Sequence, residues 1–227
     1  MDVLIEVIAC SVDDALEAER GGAGRVELVR ELGRGGLTPS LDFVDRVREV
    51  VKIPIRVMIR EADGYEAGGA DALARLAGLA ARVAALGVDG LVMGCLHSGH
   101  LDVAAIDTVL KAASPVQATF HHAFDDLPDP IAALRELGRW PQIDRVLTAG
   151  GPGDWNRKAA RLDRFTAVAA PGITVLAGGG VDAEALRALS MSSVVEAHVG
   201  RAARVPPTAD GPVSSKKVAE LVEAARR

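Results

Sequence analysis

The sequence is poor in the residues that stabilise small or secreted domains. Its 227 residues include two cysteines, Cys10 and Cys95, which lie far apart and form no CxxC pair. This excludes a disulfide framework and a zinc knuckle built from closely spaced thiolates. Aromatic residues make up 3% of the chain. Since few cysteines suit a reducing compartment, we expect a cytoplasmic protein.

Long apolar runs and clusters of positive charge are missing as well. The first apolar run starts at Val3 without basic residues before it and is broken at Glu6, so we expect no signal peptide. No run is long enough to span a bilayer. The formal net charge is −5, and contact with a phosphate backbone requires clustered Lys and Arg. We therefore expect neither a nucleic acid nor a membrane as a partner.

Short β-rich segments alternate with helical segments along the whole chain. They are near-continuously apolar, as strands buried on both faces of a parallel sheet are. No Gly/Ser-rich linker divides the chain, so we expect one domain over residues 1–227 with an α/β (β/α)8 TIM-barrel fold. The predicted strands are Val3–Ala9, Arg25–Val29, Ile55–Arg60, Gly90–Met93, Val116–His121, Arg145–Thr148, Thr174–Ala177 and Val194–Val199. Predicted helix N-caps are Ser11, Thr38, Asp71, Asp129 and Asp182.

The segment Ala118–Asp125 is an apolar strand that ends in two imidazoles and a carboxylate. Ligand sites of barrels lie at the carboxyl ends of the strands. His121 closes strand five, Asp125 follows within loop reach, and His198 has the comparable position on strand eight. Because an imidazole carries protons or binds metals at neutral pH, we predict these three as site residues; a hydrogen-bonded core histidine is the alternative for His121. His122 is expected to point towards the helix layer.

Carboxylates also lie inside the predicted strands. Glu6 and Glu27 are on the neighbouring strands one and two, and Glu196 shares a strand face with the histidine two residues later. Buried carboxylates are costly unless they are paired or functional. We predict these three and Arg60 as catalytic residues. The alternative, which is compatible with this role, is a structural ion pair with Arg56 or Arg60 on strand three.

Glycine-containing loops follow the last two predicted strands. Glycine lets the backbone approach an anion closely, and the following helix start presents free N–H groups. Barrel enzymes frequently build phosphate sites from these two loops. We therefore expect a small anionic ligand, phosphorylated or carboxylated. The predicted ligand-binding residues are Ser11, Thr148, Gly178, Gly179, Gly180, Gly200 and Arg201.

The motifs taken together resemble the CutC copper homeostasis family of (β/α)8 barrel proteins. The resemblance rests on Arg25-Val26-Glu27-Leu28 with the later Gly35-Gly36-Leu37-Thr38-Pro39-Ser40, on Thr119-Phe120-His121 with Ala123-Phe124-Asp125, and on Glu196-x-His198. It implies a relation to copper. Many relatives have cysteine just after the strand-one glutamate and just after the strand-two Glu-Leu, where this chain has Ile8, Ala9 and Val29. Copper(I) is soft and prefers thiolate or thioether ligands.

Two functions stay open at this point. One is a copper-binding protein that holds the metal through His121, His198, Glu6 or a cysteine. The other is an enzyme that uses acid–base chemistry on a small anionic metabolite without a metal. The pair His97 and His100 is explained as well by a flexible polar loop as by metal ligation, and no metal ligand set is assigned. We expect a homodimer, because two-fold dimers are the commonest oligomers.

Overall fold

The computed structural model describes residues 2–169 and 172–226, and there eight parallel strands form one closed barrel. The predicted (β/α)8 fold is thereby confirmed. The barrel strands are β1 (Leu4–Ala9), β2 (Arg25–Leu28), β3 (Ile55–Met58), β4 (Gly90–Met93), β5 (Gln117–Phe120), β6 (Ile143–Thr148), β7 (Thr174–Ala177) and β8 (Glu196–Val199). The helices are α1 (Val12–Arg20), α2 (Leu41–Val50), α3 (Ala70–Ala85), α4 (Val103–Ala112), α5 (Pro130–Leu137), α6 (Trp155–Val168), α7 (Ala183–Ser190) and α8 (Ser215–Ala224).

Each strand pairs with the next in the sequence, and β8 closes the ring against β1. In the register of β1 and β8, Glu6 lies beside His198, and in the register of β1 and β2 it lies beside Arg25. Glu27 and Arg56 are partners across β2 and β3. Since paired residues of adjacent strands point to the same face of a sheet, the registers bring these charged side chains together inside the barrel.

Capping explains where most of the helices begin. Ser11, Asp129 and Asp182 accept backbone N–H bonds at the starts of α1, α5 and α7, as predicted. The prediction for Asp71 is wrong, because α3 begins at Ala70 and its N-cap is Gly69, two residues before Asp71. Among the helices of the described ranges, none combines the length and the hydropathy needed to cross a membrane.

Thr38 was predicted to cap α2, but Ser40 does so by accepting a bond from Phe43 N at 3.2 Å. Thr38 instead joins the β2–α2 loop to the end of β3. Its backbone N–H donates to the Arg60 carbonyl, and Arg60 N donates to Thr38 Oγ1, both at 2.8 Å. These bonds replace strand pairing, so β3 ends at Met58 rather than at Arg60.

Side chains on the strands alternate between the helix layer and the barrel interior. Val7, Val26 and Val57 belong to the main apolar core, in which helix residues also take part. A second, separate apolar cluster is formed by Ile8, Val29, Met58 and Val92, which lie on the other face of their strands. The interior of the barrel therefore has an apolar layer of its own beside the charged side chains.

Gly90 creates the space that Arg56 occupies inside the barrel. A Cβ atom at this glycine would lie 2.9 Å from the Arg56 guanidinium carbon, which is too close for a real contact. We expect Gly90→Ala to lower the free energy of unfolding by about 1–3 kcal/mol in urea denaturation, because overpacking moves the guanidinium off its partners.

Gly78→Ala is the matched control for this substitution. Gly78 lies in α3, and a Cβ there would meet nothing within 4 Å. This variant should gain roughly 0.5–1 kcal/mol, since glycine inside a helix is entropically unfavourable. Equal stabilities of the two variants would contradict the steric role of Gly90.

Candidate active site

Arg25 of β2 is held between two buried carboxylates inside the barrel. Its Nε donates to Glu6, and its Nη2 donates to Glu196 at 2.6 Å. Arg145 of β6 donates to the same Glu196 carboxylate at 2.7 and 2.9 Å. Arg25, Glu6 and Glu196 are each at most 7% exposed. Mutual pairing is what makes such burial tolerable, because removal of one partner leaves an uncompensated charge.

Arg56 extends this network across the barrel. It donates to the Asp144 carboxylate at 2.7 and 2.6 Å and to Thr119 Oγ1 at 2.9 Å. The alternative interpretation, an ion pair of Glu6 or Glu27 with Arg56 or Arg60, is wrong for the described residues, since Glu6 pairs with Arg25. Arg25 is next to Glu6 in the register of adjacent strands, whereas the Arg56 side chain reaches over Gly90 towards β5 and β6.

Glu27 and His198 lie next to each other in the barrel interior, so the protonation of one affects the other. His198 Nδ1 lies 2.7 Å from Glu6 Oε1 and 3.3 Å from Glu27 Oε2. Burial raises the pKa of Glu27 to about 7. Burial alone lowers the pKa of His198, but the carboxylates of Glu27 and Glu6 outweigh it and raise that pKa above its ordinary value. For Glu6, the charges of Arg25 and His198 outweigh burial and hold its pKa well below the usual range.

A count of charges in the described network shows that one added proton makes it neutral. The network joins four carboxylates to three guanidinium groups. The carboxylates are those of Glu6, Glu27, Asp144 and Glu196, and the guanidinium groups are those of Arg25, Arg56 and Arg145. One proton on the Glu27–His198 pair makes the sum neutral, and a proton held near neutral pH by two groups suits a general acid–base catalyst.

The Glu27–His198 pair lies at a cavity of about 230 Å³ at the carboxyl ends of the strands, which we call the central cavity. Four of the predicted catalytic residues line it together: Glu27, Arg60, His121 and His198. Glu6 and Glu196 do not line it and act on it through His198 and Arg25. The apolar part of its wall is formed by Ile8, Val29, Leu32, Met58 and Leu147. Apolar walls lower the local dielectric and strengthen the interactions of the charged groups.

His121 presents a hydrogen-bond donor that has no protein partner. Its ring is 3% exposed, and Ala123 N donates to its Nδ1 at 3.2 Å. The neutral ring therefore carries its proton on Nε2, and this buried nitrogen lacks a hydrogen-bond partner among the described residues. Burial, with the charges of His122 and Arg60, lowers the pKa of His121 to about 3. His121 is thus a neutral donor at pH 7.

Arg60 and Tyr65 form the entrance of the central cavity. Arg60 donates to the carbonyls of Arg34, Gly36 and Gly64 at 3.1, 2.9 and 3.2 Å. Within residues 2–169 and 172–226 it makes no ion pair, so its charge is available to an anionic ligand. The Tyr65 ring lies over His121, with 5.0 Å between ring centroids. The loop from β3 to α3 therefore covers the cavity.

Asp125, Thr148 and His122 form a hydrogen-bonded cluster at the edge of the central cavity, and His122 also lines that cavity. The Asp125 carboxylate accepts bonds from Thr148 Oγ1 and from Ala149 N. His122 Nδ1 lies 2.7 Å from the same carboxylate. Burial raises the pKa of Asp125, but the bonds from His122 and Thr148 bring it below its ordinary value. Asp125 therefore fixes the β5 and β6 loops and positions His122.

The orientation predicted for His122 is wrong, since this residue lines the central cavity and is not directed to the helix layer. The strand ends at Phe120, and a 3-10 turn spans His122–Asp126. The alternation of a strand therefore does not extend to residue 122.

The predicted ligand-binding loops lie away from the lining of the central cavity. A Cβ at Gly178 would be 2.5 Å from Leu147, and one at Gly179 would be 2.6 Å from Ala149, so these glycines permit close packing. A Cβ at Gly180 would meet nothing within 4 Å, and a Cβ at Gly200 would lie 3.1 Å from the Ile8 side chain. Arg201 is exposed, and the Ser11 hydroxyl is used as the cap of α1. An anion site at these loops stays a prediction.

The cysteines lie outside the lining of the central cavity. Cys10 is half-buried and accepts a bond from Arg204. Cys95 is buried in the main core, where burial raises the pKa of its thiol to about 12. His97 and His100 lie in an exposed hairpin. Within the part of the chain that the structure describes, Glu6, Glu27 and His198 form the one group with metal-ligand spacing, with ligand atoms within 4.8 Å of one another.

Sequence reasoning missed three residues of the site. Arg25 is two residues before Glu27 on the same strand, so strand alternation could have found it. Tyr65 gave no signal, because its loop is folded over His121 by tertiary contacts. Gly94 leaves room for the His121 ring, since a Cβ there would lie 2.6 Å from Nδ1.

Comparison with known proteins identifies the family of this barrel. The sequence model of the CutC family matches residues 3–203. The chain belongs to the CutC family. The human and mouse proteins named copper homeostasis protein cutC homolog are each 38% identical to it, over 205 and 203 residues. Both matches cover 86% of this chain and 72% of the relative.

Solved structures give the same result. A Streptococcus agalactiae structure named as a copper homeostasis protein CutC superposes with a TM-score of 0.79 at 28% identity, covering 87% of this chain and 98% of that one. Orotidine 5′-phosphate decarboxylase from Pyrococcus horikoshii OT3 superposes with a TM-score of 0.63 at 13% identity, covering 99% and 100% of the two chains. At that identity the likeness concerns the barrel fold alone.

The donors of the central cavity fit a copper(I) ion poorly. Soft copper(I) selects sulfur ligands, and the cavity lining offers the Met58 thioether but neither thiol. In a ligating imidazole one ring nitrogen binds the metal and the N–H of the other donates to an acceptor. In His121, Nδ1 instead accepts a bond from Ala123 N, so Nε2 carries the proton and is not free to bind a metal. Glu6 is already bound by the Arg25 cation.

The pKa of Glu27 makes stability depend on pH in a defined way. In the folded state its carboxyl keeps a proton up to about pH 7, whereas the ordinary value is 4.5. The free energy of unfolding of the wild type, relative to Glu27→Gln, should therefore fall by about 1.4 kcal/mol per pH unit as pH rises from 4.5 to 7. Denaturation at several pH values measures this difference.

The exposed α2 substitution Glu49→Gln controls for the loss of one carboxylate. A constant difference between wild type and Glu27→Gln over this pH range would contradict the raised pKa.

Proposed function

We propose that this CutC-family chain takes part in copper homeostasis, the process for which its relatives are named, and that it acts in the cytoplasm as an enzyme. Its central cavity performs acid–base chemistry on a small anionic molecule. The observation that carries the proposal is the contact of Glu27 with His198, 3.3 Å apart in the lining of the cavity, beside a network in which one proton balances the remaining charge. Such a pair accepts or releases a proton near neutral pH without a metal.

Five side chains that line the cavity or lie directly behind it have roles in this proposal. Glu27 exchanges the proton with the ligand, and His198 holds it when Glu27 is ionised. Glu6 orients His198 through the bond to Nδ1. His121 donates its Nε2 proton to an oxygen of the ligand, and Arg60 binds the anionic group at the entrance. Apolar walls exclude water from these groups.

Carbon-13 NMR titration of glutamate carboxyl groups tests the first step of this proposal. We expect one carboxyl resonance to titrate near pH 7 and to disappear in Glu27→Gln while persisting in Glu49→Gln. Addition of phosphorylated and carboxylated metabolites should shift this resonance for those that bind in the cavity. The proposal is wrong if all glutamates titrate in their ordinary range.

Copper binding is the second candidate function, and the observation that favours it is that the Met58 thioether and three imidazoles line the same central cavity. Competition with a chromophoric copper(I) chelator under reducing conditions tests it. This candidate predicts one tightly bound ion per chain, lost in His121→Ala and kept in His97→Ala, whose side chain lies in the exposed hairpin. Weak binding that is equal in all three proteins would contradict it.

A further inference from the structure

A hydrogen-bond donor and a proton acceptor belong to two residues that line the central cavity together. The donor is His121 Nε2, which is buried and has no partner among the described residues. The acceptor is the Glu27 carboxylate on β2, which lies 3.3 Å from His198 Nδ1. Both residues line the central cavity. A buried donor without a partner is costly, so we expect an oxygen of the ligand to accept a hydrogen bond from it.

The tautomer of His121 restricts the kind of oxygen that fits. Because Ala123 N donates to Nδ1, the ring is neutral and offers one N–H bond to the cavity. A neutral imidazole stabilises an oxygen on which negative charge develops, as in enolising enzymes that combine it with a glutamate base. The Tyr65 ring and the tight fit against Gly94 hold the imidazole in this position.

We infer that the central cavity removes a proton from the carbon next to the carbonyl group of a small aldehyde or ketone. This inference rests on the proposed acid–base function and names its substrate class. Glu27 takes the proton, and the electrons of the C–H bond form a C=C bond. The electron pair of the carbonyl double bond moves onto oxygen, where His121 Nε2–H stabilises it. Return of the proton from Glu27 to carbon restores the carbonyl, so no further reactant is needed.

The size of the cavity limits the substrate. Its volume of about 230 Å³ is below the roughly 300–1,000 Å³ of pockets that bury drug-sized ligands. The entrance adds a selection by charge, because Arg60 contacts carbonyl groups and the Tyr65 ring but forms no ion pair within the described ranges. We therefore expect a short carbonyl compound, with preference for one that carries a phosphate or carboxylate.

Exchange of carbon-bound hydrogen for deuterium tests the inference directly. The full-length protein is incubated in D2O with dihydroxyacetone, dihydroxyacetone phosphate or pyruvate, and proton NMR follows the C–H signal next to the carbonyl. We expect exchange above the protein-free blank with at least one probe. Glu27→Gln should slow it by about 10²–10⁴-fold, the usual contribution of a general base. Urea denaturation of this variant at the pH of the assay shows whether it is folded, so that unfolding can be separated from the loss of the base.

Two substitutions of His121 distinguish the role of the N–H donor at Nε2 from that of the bond which Nδ1 accepts from Ala123 N. Asparagine can accept the Ala123 N–H bond but offers no donor at the Nε2 position, whereas glutamine places an N–H group near that position. We expect His121→Asn to slow exchange by roughly 10²–10³-fold and His121→Gln to slow it less. His97→Asn in the exposed hairpin should leave the rate unchanged. Equal effects of Asn and Gln would overturn the role of the donor.

The outcomes also distinguish this inference from the function on which it rests. If one glutamate titrates near pH 7 but none of the three probes exchanges, the carbonyl inference is overturned and the acid–base function stands. If all glutamates titrate in their ordinary range, both are overturned. Exchange that is as fast in Glu27→Gln as in the wild type overturns the inference as well.

Discussion

The site depends on the position of Arg25 between the carboxylates of Glu6 and Glu196. Three charged groups from β1, β2 and β8 are buried together across the seam where the barrel closes. Each would be costly to bury alone, and each is tolerated because the others are present. The pairing fixes the carboxylate of Glu6, and that carboxylate in turn fixes His198. The orientation of His198 in the central cavity therefore depends on the ion pairs of Arg25.

One proton on Glu27 or His198 balances the charges of the network, and this has consequences for function. Glu27 is buried and has no guanidinium partner in the described part of the chain, and this burial raises its pKa to about 7. His121, on the opposite part of the ring of strands, is held neutral by burial and by its bond from Ala123. Two groups with pKa values pushed apart in one apolar cavity are the arrangement that proton-transfer enzymes use.

Membership of the CutC family connects the chain to copper homeostasis, but the donors in the cavity are mainly nitrogen and oxygen. Cys10 is bound by Arg204, and Cys95 is packed in the main core. Two glycines of the interior leave space for large polar side chains: Gly90 for Arg56 and Gly94 for His121. The interior is thus built around arginine and histidine side chains and not around thiols.

The sequence by itself determined the barrel and the strand ends at which its site lies. Apolar runs, capping residues such as Ser11 and Asp182, and the positions of Glu6, Glu27, His121 and His198 near strand ends are local features that periodicity reveals. Tertiary structure alone decided that Glu6 pairs with Arg25, that Tyr65 covers His121, and that Asp125 binds Thr148. The physical reason is that an ion pair or a loop contact depends on which side chains reach one another across the closed barrel, and strand register and neighbouring glycines set that reach.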